Sequence, residues 1–186
     1  MGRIAKPQNR RGLLERFDHR CVQKNMAVDL APVDCDDPLL AELERSIEKT
    51  AQGHNRVALA LLRTVPGVGN ILALVMLYEI KEVARFPRVQ AFVSYCRLVK
   101  SARESNGKRH GTSGKKIGTA HLKWAFSAAA VLFLKHNEPA QTYLATLATR
   151  HGTGKALSIL AHKRGRAIYV MLKNHVACDQ EKCLAA

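Results

Sequence analysis

Acidic residues are scarce in this chain. Asp and Glu number 15 against 30 Lys and Arg, for a formal charge of +15. So lopsided a balance disfavours an acidic, self-solvating protein and points to a polyanionic partner. Aromatic residues are fewer still, at 5% of 186 residues. No segment therefore pairs a basic face with a strong aromatic face, which disfavours a membrane surface and leaves nucleic acid as the polyanion. The longest apolar run, Trp124 to Leu134, is too short to cross a bilayer. The first twenty residues are polar and basic, without the apolar stretch of a secretory signal. Lys6 stands where a myristoylation signal needs Ser or Thr. No CxxC pair exists among Cys21, Cys35, Cys96, Cys178 and Cys183, and the count is odd. Reduced thiols and a cytoplasmic location are the plain expectation. His175, Cys178 and Cys183 lie close in sequence but lack a fourth ligand at zinc spacing, so no metal is expected in this chain.

Sustained period-two alternation is missing too, so the expected fold is all-α with about seven helices. Residues 1–54 read as an amphipathic helical arm and linker, 55–176 as a helical domain, and 177–186 as a loose tail. Arg10 to Ala27 is weakly helical. Pro32, Pro38, Asp34, Asp36 and Asp37 mark residues 28–38 as a turn, with Asp37 capping a helix that Pro38 opens. Leu40, Leu43 and Ile47 then form one apolar stripe, which suits a core or a partner helix equally. Arg88 to Leu98 is a short helix, and residues 99–118 a basic loop. Residues 120–135, nearly all apolar, predict a helix buried all round, with Trp124 and Phe126 in the core. Two further helices follow, one from Asn137-Glu138-Pro139 to His151 and one from Lys155 to His175.

The sharpest local feature is Pro66-Gly67-Val68-Gly69-Asn70, between apolar helical segments. Pro66 fixes the entry to a turn, and Gly67 and Gly69 tolerate positive φ. The pattern is that of a helix-hairpin-helix element. Its expectation is that the N–H groups of Val68, Gly69 and Asn70 face outward as an anion site for nucleic-acid phosphate. The alternative is a tight helix connection without a ligand. Six cations (Lys100, Arg103, Lys108, Arg109, Lys115 and Lys116) crowd the basic loop against the single acid Glu104. Gly107 and its neighbouring glycines permit close approach to phosphates. A serine there could attack a DNA phosphorus if a base or metal took its proton. A solvated mobile loop is the bland counterpart. Lys155, His162, Lys163, Arg164, Arg166 and Lys173 suggest either a cationic helix face on DNA or RNA backbone or a plain solvated face, while Tyr169 with His162 and Arg166 is a weaker recombinase-like grouping.

The bend, Arg85-Phe86-Pro87-Arg88, Tyr95-Cys96-Arg97-Leu98-Val99, Glu104-Ser105-Asn106-Gly107-Lys108-Arg109, Gly114-Lys115-Lys116-Ile117-Gly118 and His121-Leu122-Lys123 follow in order. Together they resemble the C-terminal half of the insertion-sequence transposases related to the Piv DNA invertase, the insertion-sequence one-ten family. The likeness extends to residues 13–49 and 155–172. It implies a helical domain with a nucleophilic serine, joined in the family to a RuvC-like domain with four metal-binding acids. Ser105 matches the serine, and Pro66 to Gly69 the hairpin on DNA backbone. Asn106 replaces a small residue and Thr119 an asparagine. The resemblance implies DNA as partner, a structured guide RNA in some members, and serine-mediated cleavage and rejoining. A homo-oligomer is expected. The chain starts too late for a RuvC-like domain, so Mg²⁺ is expected only with that domain and the chain alone is expected to be inactive. The alternative is a non-catalytic helix-hairpin-helix DNA- or RNA-binding protein; an interaction module using the Leu40–Ile47 stripe is a third class.

Overall fold

The computed structural model describes residues 4, 6–99, 101–105, 108–113, 118–135 and 137–177, with backbone only for 101–105 and 108–113. The chain divides into two compact units, residues 1–50 and 51–186.

In the first unit, α1 (Pro7–Arg10) and a 3₁₀ turn (Leu14–Arg16) precede the long α2 (Arg20–Thr64). The expected turn at residues 28–38 is absent: α2 runs straight through Pro32 and Pro38. Each proline deletes one N–H and frees the carbonyl four residues back. Both prolines are exposed, so water can satisfy those carbonyls. Asp37 is accordingly not a cap. Asp34 and Asp37 instead flank the buried Arg10, with Arg10 Nε 3.1 Å from Asp34 and Nη2 bonded to Asp37. Leu40, Leu43 and Ile47 are exposed, Leu43 at 58%.

The real interruption of α2 is Asn55, at φ −153° and ψ 77°. Its Oδ1 accepts the Ala58 N–H at 2.9 Å, as an N-cap does for a new helical segment. The second unit continues with α3 (Asn70–Ile80), a 3₁₀ turn (Val83–Arg85) and α4 (Val89–Tyr95). After an excursion come α5 (Ala120–Leu134), α6 (Glu138–His151) and α7 (Thr153–Asn174). Asn137 caps α6 by accepting the Ala140 N–H at 3.0 Å. α7 packs against α4, α5 and α6, while α3 lies on α5. Phe92 is the hub of the core. Its ring meets Phe126 edge-on at 6.1 Å and Phe86 at 5.3 Å. Leu59, Leu62, Met76, Leu122 and Ile168 are fully buried in the same core. Burial pushes the Cys96 thiol up to about 12, so it stays protonated inside this core.

The all-α expectation holds for the body, with one addition. The excursion is not a plain loop: it carries a two-stranded antiparallel ribbon, β1 (Ser101–Ser105) and β2 (Lys108–Ser113). Ser101 pairs with Ser113 and Ser105 with Lys108; the register slips by one residue between Ala102 and Glu104. Apart from Ala102 and Gly111 the strand residues are polar, which is why apolar alternation does not reveal them. The signal that does is Asn106-Gly107, the two residues between the strands and a favoured hairpin pair.

α5 also departs from expectation. Leu122, Ala125, Phe126, Ala129, Ala130 and Phe133 are buried, but Trp124 is 56% exposed, along with Val131 and Leu132. Neighbouring helices cover only one side of α5, so apolar composition overstates its burial.

Candidate nucleic-acid interface

The bend between α2 and α3 is held from inside. Gly67 has φ +81°, the left-handed region that glycine adopts freely. A Cβ there would lie 2.6 Å from the Phe133 backbone nitrogen and 2.7 Å from the Ala129 carbonyl. The bend is thus pressed directly onto α5. Val65 and Val68 are buried, and Pro66 and Gly67 half-buried. From below, Arg164 of α7, only 2% exposed, donates to the Pro66 carbonyl and lies 4.1 Å over the Phe133 ring.

Two expectations about this bend need correction. The Val68 N–H does not face outward, because it donates to the Val65 carbonyl at 2.9 Å. Gly69 is not at positive φ: it is extended, at φ −80° and ψ −179°, as the N-cap of α3. What remains open is the first turn of α3. The first helical bond into Gly69 comes from the Ala73 N–H at 2.9 Å, and no side chain caps the end. Gly69 and Asn70 are exposed, and nothing lies within 4 Å of a Cβ built on Gly69. Arg63 Nε reaches across the bend to Asn70 Oδ1 at 3.1 Å, which places a cation beside these amides.

Arg164 is expected on a cationic helix face; it is buried instead, where its guanidinium both donates to the Pro66 carbonyl and stacks on the Phe133 ring. Sequence offers no signal for such a long-range contact. Replacing Arg164 by Met is expected to cost about 1–2 kcal/mol, from the lost hydrogen bond to the half-buried Pro66 carbonyl plus the lost ring contact. Denaturant unfolding measures it. His162 is held below its ordinary value by burial, and then by Arg166, both of which disfavour its charged form. Tyr169 is buried, donates to the Phe86 carbonyl at 2.9 Å and accepts from Lys173 at 3.1 Å. That is a structural role, which removes it as a recombinase tyrosine.

The root of the ribbon is equally built. Gly118 sits at φ +81° against the Tyr95 carbonyl, which also accepts the Thr119 N–H at 3.0 Å. Arg97 Nε donates to the Gly118 carbonyl at 3.0 Å. Beside it, Glu79 of α3 accepts from the Thr119 hydroxyl at 2.8 Å and bonds the His121 ring at 2.6 Å. The Thr119 bond first, and then the His121 bond, hold the Glu79 carboxyl below its usual range. Folding therefore favours the ionised form. Its contribution is present above the ordinary carboxylate range and is lost as pH falls through the lowered value. Glu79→Gln should flatten the acid limb of a stability-against-pH series.

Ser105 lies at the end of β1 opposite Lys108, and Arg103 and Arg109 share the ribbon backbone. Lys100, Gly107, Lys115 and Lys116 lie outside the described residues, as do Cys178 and Cys183. The bend and the ribbon's root stand at opposite ends of the α3–α5 pair. The eleven residues of α3 separate them by about 16 Å. Among the described residues, no cluster of His, Cys, Asp or Glu could hold a metal ion, and no helix is long and apolar enough to cross a membrane.

Residues 59–145 match the model of the IS116/IS110/IS902 transposase family. The matched segment holds the bend, the ribbon, α5 and the start of α6. The chain is also similar to the insertion element IS110 uncharacterized 43.6 kDa protein of Streptomyces coelicolor, at 28% identity over 115 residues. That alignment takes in 61% of this chain and 28% of the relative's length. Both comparisons support the insertion-sequence one-ten family, and the matched segment contains the bend and the six-cation segment, though not the cations of α7.

Proposed function

We propose that this chain is the DNA-handling part of an insertion-sequence transposase. The observation that carries the reading is the transposase match over residues 59–145, with a glycine bend and a six-cation segment inside it. The open first turn of α3, with Gly69, Asn70 and the adjacent Arg63, takes a backbone phosphate. The ribbon's Arg103, Lys108 and Arg109, with Lys100, Lys115 and Lys116, take further phosphates. Pro66, Gly67 and Val68 set the bend rather than touch the strand. A strand of duplex carries a phosphate about every 3.4 Å, so the 16 Å between bend and ribbon root corresponds to about five phosphates. One duplex can therefore engage both.

Ser105 is the nucleophile in this reading. Its Oγ bonds to phosphorus, the P–O bond to the departing sugar oxygen breaks, and the strand is held as a phosphoserine until a second sugar oxygen reverses the step. The serine proton needs a base or a metal-bound hydroxide. Asp34 and Asp37 do not supply a metal site, since both face Arg10. Mg²⁺ enters in this reading with a separate acid-bearing domain, and this chain alone does not join strands. A structured guide RNA is a further candidate partner. A second copy pairs along Leu40, Leu43 and Ile47, and the protein acts in the cytoplasm.

Binding to duplex DNA across a salt series tests the reading. With six to ten phosphates contacted, log affinity should fall against log salt with a slope of roughly −5 to −9. A flat response would remove DNA backbone as the partner.

A further inference from the structure

At the end of α3 remote from the bend, a cavity of about 430 Å³ opens between α2, α3, the Val83–Arg85 turn and the end of α7. Its size falls within the range of small-molecule sites, about 300–1,000 Å³. Ala58, Val83 and Ala84 give it apolar surface, backed by the buried Leu62, Leu77, Ile80 and Leu172. Lys81, Lys173 and His175 supply three basic groups at its edge, and Asn55 and Glu82 supply an amide and a carboxylate.

The backbone leaves regular geometry three times around this one space. Asn55 breaks α2, Lys81 sits at φ 58° and ψ −90°, and His175 sits at φ 53° and ψ 35°. Among the described residues, three non-glycine positions have positive φ, and two of them line this cavity. Side chains resist such conformations, and residues held in them gather at ligand sites. None of these groups belongs to the bend or the ribbon.

The chemistry narrows the occupant. A bare phosphate would leave the Ala58, Val83 and Ala84 surface wet, and a neutral hydrophobe would leave Lys81 and His175 at its edge without use, Lys173 already donating to Tyr169. A flat apolar body carrying an anion uses both. We infer that the cavity takes a nucleotide unit, its base against Ala58, Val83 and Ala84, over the buried leucines and Ile80, and its phosphate on Lys81, Lys173 and His175. Asn55 and Glu82 then meet the polar edge of the base. The inference rests in part on the nucleic-acid reading above, which makes an unpaired nucleotide within a strand the first source and a free nucleotide the second. Lys81 and Lys173 are exposed, so a strand can enter and leave across them.

Methyl NMR of the whole chain titrated with deoxyadenosine monophosphate tests the cavity directly. The methyl signals of Leu62, Leu77, Ile80 and Leu172 should shift, and inorganic phosphate should leave them in place. In parallel, a duplex with one unpaired 2-aminopurine should bind at least fivefold tighter than the fully paired duplex, with its fluorescence quenched. Ala84 is exposed and lines the cavity, so Ala84→Trp plugs it without touching the core. That variant should lose both the methyl shifts and the fivefold preference, while paired-duplex affinity stays within twofold. Lys81→Gly removes a cation and relaxes the backbone; it should melt no lower than the parent and bind the mononucleotide several-fold more weakly. Methyl shifts without a gain for the unpaired duplex assign the free nucleotide as the source. Unmoved methyls, or a preference that survives Ala84→Trp, overturn the inference even where duplex binding is intact. Conversely, mononucleotide binding without any duplex binding overturns the DNA-backbone reading and leaves the cavity assignment standing.

Discussion

Gly67→Ala should lower stability by about 2–5 kcal/mol, whereas Gly69→Ala should cost no more than about 1 kcal/mol. Two penalties add at Gly67. A side chain at φ +81° costs about 1–2 kcal/mol, and forcing a methyl group into closed packing costs about 1–3 kcal/mol more. The obstructing atoms are the Phe133 nitrogen and the Ala129 carbonyl, which belong to helix backbone and cannot rotate aside. Gly69 meets neither difficulty, since its conformation is extended and its surroundings are open. For a chain of this size the Gly67 penalty corresponds to a drop in melting midpoint on the order of 10 °C. A Gly67→Ala protein that melts within a degree or two of the parent would show that the bend is not seated on α5. The contrast also separates fold from ligand. DNA affinity lost in Gly67→Ala follows from displacement of the whole bend. Affinity lost in a stably folded Gly69→Val would come from crowding the amides that meet phosphate.

What the sequence makes legible here follows physical range. Helix α6 is announced by Asn137-Glu138-Pro139, a cap and a first-turn proline within three residues, and the structure forms that cap. The bend is announced by its glycines, although only Gly67 uses positive φ. Local rules failed where a distant partner or solvent decides. Pro32 should mark a turn and Pro38 the start of a new helix, yet both sit inside α2, on surface where water replaces the lost bonds. Trp124 should be core in a helix so apolar, but among the described residues it stays 56% exposed. Arg164 looks like any surface cation of α7 until Pro66, 98 residues earlier, folds against it. The chemistry of Ser105 is legible only by likeness to a family. A polar ribbon, with Asn106-Gly107 as its one clear local signal, gives no geometric reason to prefer this serine over Ser101 or Ser113.

Ser105→Ala should therefore be judged by covalent chemistry rather than by binding. In a reaction containing element-end DNA, Mg²⁺, this chain and a separately supplied acid-bearing domain, strand joining should fall by a factor on the order of 10⁴ or more. Removing a nucleophile leaves no second route through the covalent intermediate. The protein–DNA adduct seen on a denaturing gel should vanish with it. Duplex affinity should stay within about twofold, because a neutral hydroxyl releases no counterions and the cations of the ribbon are untouched. Alanine at a strand end opposite Lys108 also leaves the backbone pairing intact, so lost joining cannot be ascribed to an unfolded ribbon. Adducts that persist in Ser105→Ala and disappear in Ser101→Ala or Ser113→Ala would move the nucleophile along the ribbon. Joining by the parent chain with Mg²⁺ alone would overturn the need for a second domain. Unchanged duplex binding with no adduct from any serine, even in the complete reaction, would leave a protein that holds DNA and does not cut it.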